Sequence, residues 1–415
     1  MSMLHKINYQ LNKFPTVKKA IKRTYQLGMY GLSKKIRQEG QIVKLSPNDK
    51  FEYLFGYYNI SPWDVQNRYV VFLRCVNAHK SVAPSEPAEI TLLDMLTNKY
   101  IIVGRTHAWN VQQGCMLQWM GPDFDKQIIY NDFRDGRYCS VILNVHSNIE
   151  RVLSLPIYAV ANNGQTALTL DFSRLHRLRK GYGYSNIEEV TKLDKLPDAP
   201  CIWHMDLETG EARPLLHYID FANFETRPEM RNAEHKVNHI MISPNGKRFM
   251  VLHRWLHGQK KYSRLVTCDL DGSGMYNVSD DNMISHCCWK NDYEILAFEN
   301  KKNKGIGYYI MQDRTSNYER LWPDIIEDGH PSYSPNGEFV VTDTYPDKRR
   351  VSAIRVMDGG GIHTIVRVFA PFRYDNDMRC DLHPRWSRDG KWICFDAAFE
   401  GRRGLYMVPY EGKEL

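Results

Sequence analysis

The 415-residue chain contains no run approaching 18 consecutive apolar residues, the length a helix needs to cross a bilayer. Residues 1–22 carry lysines without an apolar run or a small-residue cleavage site, so no secretory signal is read there. The expectation is a cytoplasmic protein. Nine cysteines, an odd number, form no Cys-x-x-Cys pair and include the adjacent Cys287-Cys288. That is not the pattern of a disulfide scaffold, and reduced, mostly buried thiols are expected. Strand-helix-strand alternation, a Gly-x-Gly-x-x-Gly loop and a P-loop are all missing, which argues against a nucleotide-sugar fold. Acidic residues are absent from residues 1–37, which hold nine Lys or Arg. The whole chain has a formal charge of +7, so the remainder carries 7 − 9 = −2, and no nucleic-acid partner is expected for so weakly charged a body.

What is present is a globular composition, 43% hydrophobic and 25% charged, sufficient to bury a large core. In the basic leader, Leu4, Ile7, Leu11 and Phe14 recur at helical spacing, and Val17, Ile21, Tyr25 and Leu27 do so more loosely. This predicts a short basic amphipathic helix in a leader of residues 1–40. It has two uses: packing on the body, or resting on an acidic partner, whether an anionic membrane surface or a glycosyltransferase. The second use would make the protein peripheral to the inner membrane.

Residues 41–415 are repetitive. Four segments share one pattern: His239-Ile-Met-Ile-Ser-Pro-Asn-Gly246, His286-Cys-Cys-Trp-Lys-Asn-Asp292, His330-Pro-Ser-Tyr-Ser-Pro-Asn-Gly337 and His383-Pro-Arg-Trp-Ser-Arg-Asp-Gly390. Each is followed by an apolar strand, and the Asn-Gly or Asp-Gly pairs supply the positive φ values of hairpin turns. Weaker copies lie at Ile157 to Gly164, Met116 to Trp119, and Tyr57 to Asp64 with its Ser61-Pro62. A second strand-turn-strand element recurs at Glu89 to Val103, Tyr138 to Leu155, Cys201 to Leu216, Ser263 to Val278, Gly307 to Leu321, Val351 to Val368 and Gly404 to Leu415. Two hairpins per period make a four-stranded blade, and seven blades closing on themselves remove exposed sheet edges. The fold class is therefore all-β, a seven-bladed β-propeller of antiparallel blades. Arg174 to Tyr184 and Phe221 to His235 are placed as long loops on one face.

The innermost strand of each blade lines the axis, so His239, His286, His330 and His383 converge there. Four imidazoles in register suit a divalent metal, Zn²⁺ or Mn²⁺, in a structural or catalytic role. Asn238, Cys287 and Asp381 stand beside them as further ligands or tuning groups. A second dense region runs from Arg105 to Tyr184, where His107, Trp109, Gln113, Tyr130, Asn131, Arg134, Arg174 and Arg177 are candidate substrate contacts. Arginines grip carboxylates in bidentate fashion, and a tyrosine flanked by cations serves as general base and acid. The candidates for that role are Tyr182, Tyr184, Arg179 and His176.

The His-x-x-x-Ser-Pro-Asn-Gly blades, Gln112-Gln113-Gly114, Tyr130-Asn131-Asp132 and Arg179-Lys180-Gly181-Tyr182-Gly183-Tyr184 together resemble the seven-bladed propeller polysaccharide lyases. The ulvan lyases are the nearer likeness, and oligogalacturonate lyase shares the His-bearing blade. The resemblance implies β-elimination on a uronate-containing glycan: a base removes the C5 proton, an Arg or metal neutralises the carboxylate, and an acid protonates the leaving oxygen. It also implies a tyrosine base, carried here by Tyr182 or Tyr184, with Arg179 as neutraliser. Gln and Tyr stand in the segments where that family has histidines. The alternative is a non-catalytic propeller that binds an anionic glycan or a glycosyltransferase in bacterial surface-polysaccharide assembly.

Overall fold

The computed structural model describes residues 15–411 apart from 259 and 360. It is a seven-bladed β-propeller of antiparallel sheets. Blade 4 shows the unit most fully, with strands Glu234–Ile242, Arg248–His257, Lys260–Asp269 and Tyr276–Ser279 running from axis to rim. The other innermost strands are Glu52–Leu54, Gln118–Trp119, Ala159–Val160, Ile284–Trp289, Ser332–Tyr333 and Arg385–Trp386. Middle strands such as Tyr69–Cys75 are apolar at almost every position, because a blade packed between two neighbours buries both faces. All nine cysteines are unpaired and buried in this packing.

The ring closes with chain from near the N-terminus. Val43–Lys44 pairs with Met407 and Tyr406, so the first blade-forming segment supplies the outer strand of the last blade. This corrects the expectation for Gly404 to Leu415: among the described residues there, Gly404–Pro409 is the strand, and its outer partner comes from the far end of the chain. Gln38–Glu39, inside the segment read as leader, adds a fifth strand to blade 6 against Val368 and Arg367. A buried ion network locks the same seam. Asp396 accepts from Arg385 at 3.1 Å and from Arg403 at 2.6 Å. The two guanidiniums then donate to the backbone carbonyls of Gly56, Tyr57 and Val111 in blades 1 and 2.

The leader helix, α1 (Pro15–Leu32), is present as expected for that part of the chain; Leu4, Ile7, Leu11 and Phe14 lie outside the described residues. The two long connections are partly helical rather than open loops. Helix α2 (Phe172–Leu178) starts because the Asp171 carboxylate accepts from the backbone N–H groups of Ser173 and Arg174. Helix α3 (Tyr218–Asn223) starts with the Asp220 carboxylate accepting from His217 N–H.

Beside α3, a histidine relay is fully assigned by its partners. Arg264 Nε donates to His253 Nδ1 at 3.1 Å, leaving His253 Nε2 to donate to His235 Nδ1 at 2.9 Å and His235 Nε2 to donate to Met230 O at 3.1 Å. Each imidazole must be neutral for every step to have one donor and one acceptor. Among the described residues, His176, His204, His235, His239, His253, His286 and His383 are held below the ordinary imidazole value, burial being the first cause in each. His330 alone is raised. A depressed folded pKa means the unfolded chain takes up the proton first as pH falls, so the balance of seven against one removes stability on acidification. The unfolding midpoint is expected to fall as the pH drops below about 6.5, as read by thermal melts in a pH series.

Candidate functional site

In blades 4 and 5 a local break in the innermost strand brings a histidine to the axis. In blade 4 the pairing advances from Asn238↔Leu252 to Met241↔Met250, and in blade 5 from Ile284↔Glu299 to Cys287↔Ala297, one extra residue each time. These are β-bulges, which re-aim a side chain out of the ladder. His239 sits in its bulge at φ +57°, and His383 takes the same left-handed conformation at +44°. The four expected histidines therefore meet. Ring centroids are 5.5 Å apart for His239 and His286, 4.1 Å for His286 and His330, and 4.2 Å for His330 and His383.

Their partners divide them. His239 is occupied at both nitrogens, with Asn238 donating to Nδ1 at 2.7 Å and the Tyr57 hydroxyl at Nε2. His286 Nδ1 lies 3.1 Å from Asp328, and burial still pushes this imidazole down to about 4. His330 goes the other way: against the burial that opposes it, the Asp343 carboxylate at 2.8 Å raises its pKa. Asp343 also accepts from the backbone N–H of His383 at 3.0 Å, so one carboxylate sets both strand entries. His330 Nε2 and both ring nitrogens of His383 are buried with no hydrogen-bond partner. Ligand atoms of His330, His383 and Asp381 lie within 4.8 Å of one another. Orphaned imidazole nitrogens beside a carboxylate fit a divalent cation in chemistry and burial.

Arg179 and Tyr182 reach the same place by turn chemistry. Tyr182 N–H donates to Arg179 O at 3.1 Å across a four-residue turn whose third residue, Gly181, has φ +86°, a value that favours glycine. The turn sets the Arg179 guanidinium 4.3 Å over the Tyr182 ring, with Nη2 3.3 Å from the hydroxyl. Tyr182 in turn meets Tyr57 edge-on at 6.2 Å. His176, on α2, lies behind them with Nδ1 3.3 Å from Tyr182 O.

The remaining candidates hold structure rather than line the hub. Tyr184 stacks on Phe172 at 4.4 Å and bonds Asn131, which spans to both polar atoms of the Ile157 backbone. Arg174 is fully buried and clamps residues 189–195 and His235 O; Arg177 pairs with Glu189 and Glu234. Arg134 pairs with Asp132 and Glu150, His107 lies against Asp132, Trp109 donates to Glu86 O, and Tyr130 is core. Gln113 supports the site indirectly, donating at 2.9 Å to Tyr158, whose hydroxyl also accepts from His239 N–H.

Four cations gather at the hub, only one of them among the residues singled out from the sequence. Lys236 lies directly across from Arg254 in blade 4, and like charges placed so repel. Arg254, buried, lowers Lys236, after burial, well below its ordinary value, while Arg179 presses on both. Lys261, still open to solvent, is pushed down to about 6, first by Arg254. The Arg254 Nε has no hydrogen-bond partner. Tyr57 and Tyr58 are further hub residues outside the sequence-based expectation. Tyr57 stands four residues before Ser61, as His239 does before Ser243 and His330 before Ser334, so the repeat register carried the signal.

Elemental analysis of metal-loaded, untagged protein is expected to find one divalent equivalent. His330→Ala, His383→Ala and Asp381→Ala should each weaken it about tenfold or more, and His239→Ala should leave it in place. Occupancy should fall on acidification, because a proton competes for His330.

No family model and no curated protein matches the chain. Solved structures do. An oligogalacturonate lyase from Vibrio parahaemolyticus aligns with a TM-score of 0.62 at 12% identity, over 92% of this chain and 99% of its own. An oligogalacturonate lyase in complex with manganese gives 0.65 at 17% identity, over 91% and 98%. The structural neighbours of this chain thus include oligogalacturonate lyase-like seven-bladed propellers, alike in fold and distant in sequence.

Proposed function

We propose that the protein is a propeller lyase that cleaves a uronate-containing glycan by β-elimination. The observation that carries the reading is the cluster of Arg179, Lys236, Arg254 and Lys261, like charges packed beside Tyr182 and the axial histidines. Crowding two arginines and two lysines together costs free energy, which shows as the lowered lysines and which a bound carboxylate returns. The fold shared with oligogalacturonate lyases, one of them a manganese complex, supports it.

In this reading Arg254 and Lys236 grip the uronate carboxylate and stabilise the charge that develops on it as the C5–H bond breaks. Arg179, 3.3 Å from the Tyr182 hydroxyl, holds that oxygen in place to take the C5 proton. The C5 electron pair forms the C4=C5 double bond, the C4–O bond breaks, and the Tyr182 phenol returns its proton to the leaving oxygen. His330, Asp381 and His383 would hold a divalent cation, whose chemistry there is neutralisation of the carboxylate. Tyr184 has no part, since its ring is stacked behind Phe172.

Galacturonate, glucuronate and iduronate oligomers incubated with metal-loaded protein are expected to yield the ultraviolet-absorbing unsaturated product from at least one of them. Tyr182→Phe should lower kcat by about 10²-fold or more, Arg254→Met should lower kcat and raise KM together, and Tyr184→Phe should leave turnover near wild type. Binding of an oligomer without unsaturated product would replace the lyase reading with the glycan-binding one.

A further inference from the structure

Helix α1 is attached to the propeller by its polar side. Arg23 pairs with Asp375 at 2.8 Å and lies over the Phe372 ring, Tyr30 stacks on Phe369 at 5.1 Å, and Gln26 is buried. A helix held by core burial alone turns its apolar stripe inward. This one does the reverse. Val17, Ile21 and Tyr25 follow one another at four-residue spacing and are 50%, 51% and 56% exposed, and the row continues through Gly28 to Leu32 at 87%. Lys18 and Lys22 border the stripe, Lys34, Lys35 and Arg37 follow the helix, and residues 1–37 contain nine Lys or Arg and no acid.

We propose that this face docks on a lipid bilayer rich in anionic headgroups. The charge complementarity selects the occupant: an uninterrupted basic segment around an apolar stripe matches the headgroup layer and the acyl boundary beneath it. No described helix is long and apolar enough to cross a membrane, so the helix lies in the interface plane. It rests on Phe369 to Asp375, the connection that leads within 381 − 375 = 6 residues to Asp381 at the hub. Docking therefore holds the propeller face that carries the axial site beside the bilayer. The proposal stands apart from the lyase reading, because none of its residues lines the hub.

The test is co-sedimentation of the full chain with vesicles of phosphatidylcholine alone and with about a third phosphatidylglycerol. The expected result is binding to the anionic vesicles only, weakened by added salt and reduced about tenfold or more in the Ile21→Glu/Tyr25→Glu variant. Both side chains face solvent, so the variant should melt at the parent temperature. Parent protein that ignores anionic vesicles, or a correctly folded variant that binds them equally, overturns the proposal and leaves the stripe to a protein partner.

Discussion

In blades 4 and 5 the innermost strand is asked to do two incompatible things: pair with its neighbour, and point a side chain at the axis. An extra residue resolves the conflict. The bulges at His239 and His286 and the left-handed backbone at His239 and His383 lift these imidazoles out of the ladder. Rings from separate blades are thereby brought to within 4.1–5.5 Å. Everything else at the hub answers to the crowding that results. Buried imidazoles cannot all be charged, so His239 and His383 are driven neutral, and the one that is raised, His330, has the Asp343 carboxylate against it.

The hub is uneven in charge. On the side of blades 6 and 7, Asp343 and Asp381 offset His330 and Arg379. On the side of blade 4, Lys236, Arg254 and Lys261 have Arg179 facing them and far less acid. Tyr57 sits between the two sides, its backbone held by Arg385 and its ring against His239, His330, His383 and Tyr182. An anionic ligand entering from the blade 4 side and a cation held on the blade 7 side would thus be neighbours, each lowering the cost of the other. The seam between the last blade and the first matters to this arrangement. Asp396, through Arg385, carries the closure of the ring directly to Tyr57.

The blade count and the four axial histidines were legible because both are periodic. Hairpin turns repeat their glycines, and a repeated register places equivalent residues at equivalent depth. Tyr57 is legible by the same register, standing four residues before Ser61 where other blades carry histidine. The basic run from Arg174 to Lys180 was misleading. Cations close in sequence look like one site, but the helix points two of them apart, Arg174 inward to clamp residues 189–195 and Arg177 to Glu189 and Glu234, while Arg179, just past the helix end, reaches the hub.

Local pattern by itself determined the architecture, the axial row of histidines and the basic amphipathic helix, since each depends on spacing along one stretch of chain, whereas the expected four-histidine metal set is reduced to His330 and His383 with Asp381. Only the tertiary structure decided which nitrogens remain free, which arginine meets which tyrosine, and which way the helix turns its apolar stripe. It also replaced the expected last hairpin strand with Val43–Lys44. The physical reason is common to all of these. Electrostatic and hydrogen-bond partners act over a few ångströms in space, and residues such as Lys236, Arg254 and Asp381 come that close only when separate blades close around one axis.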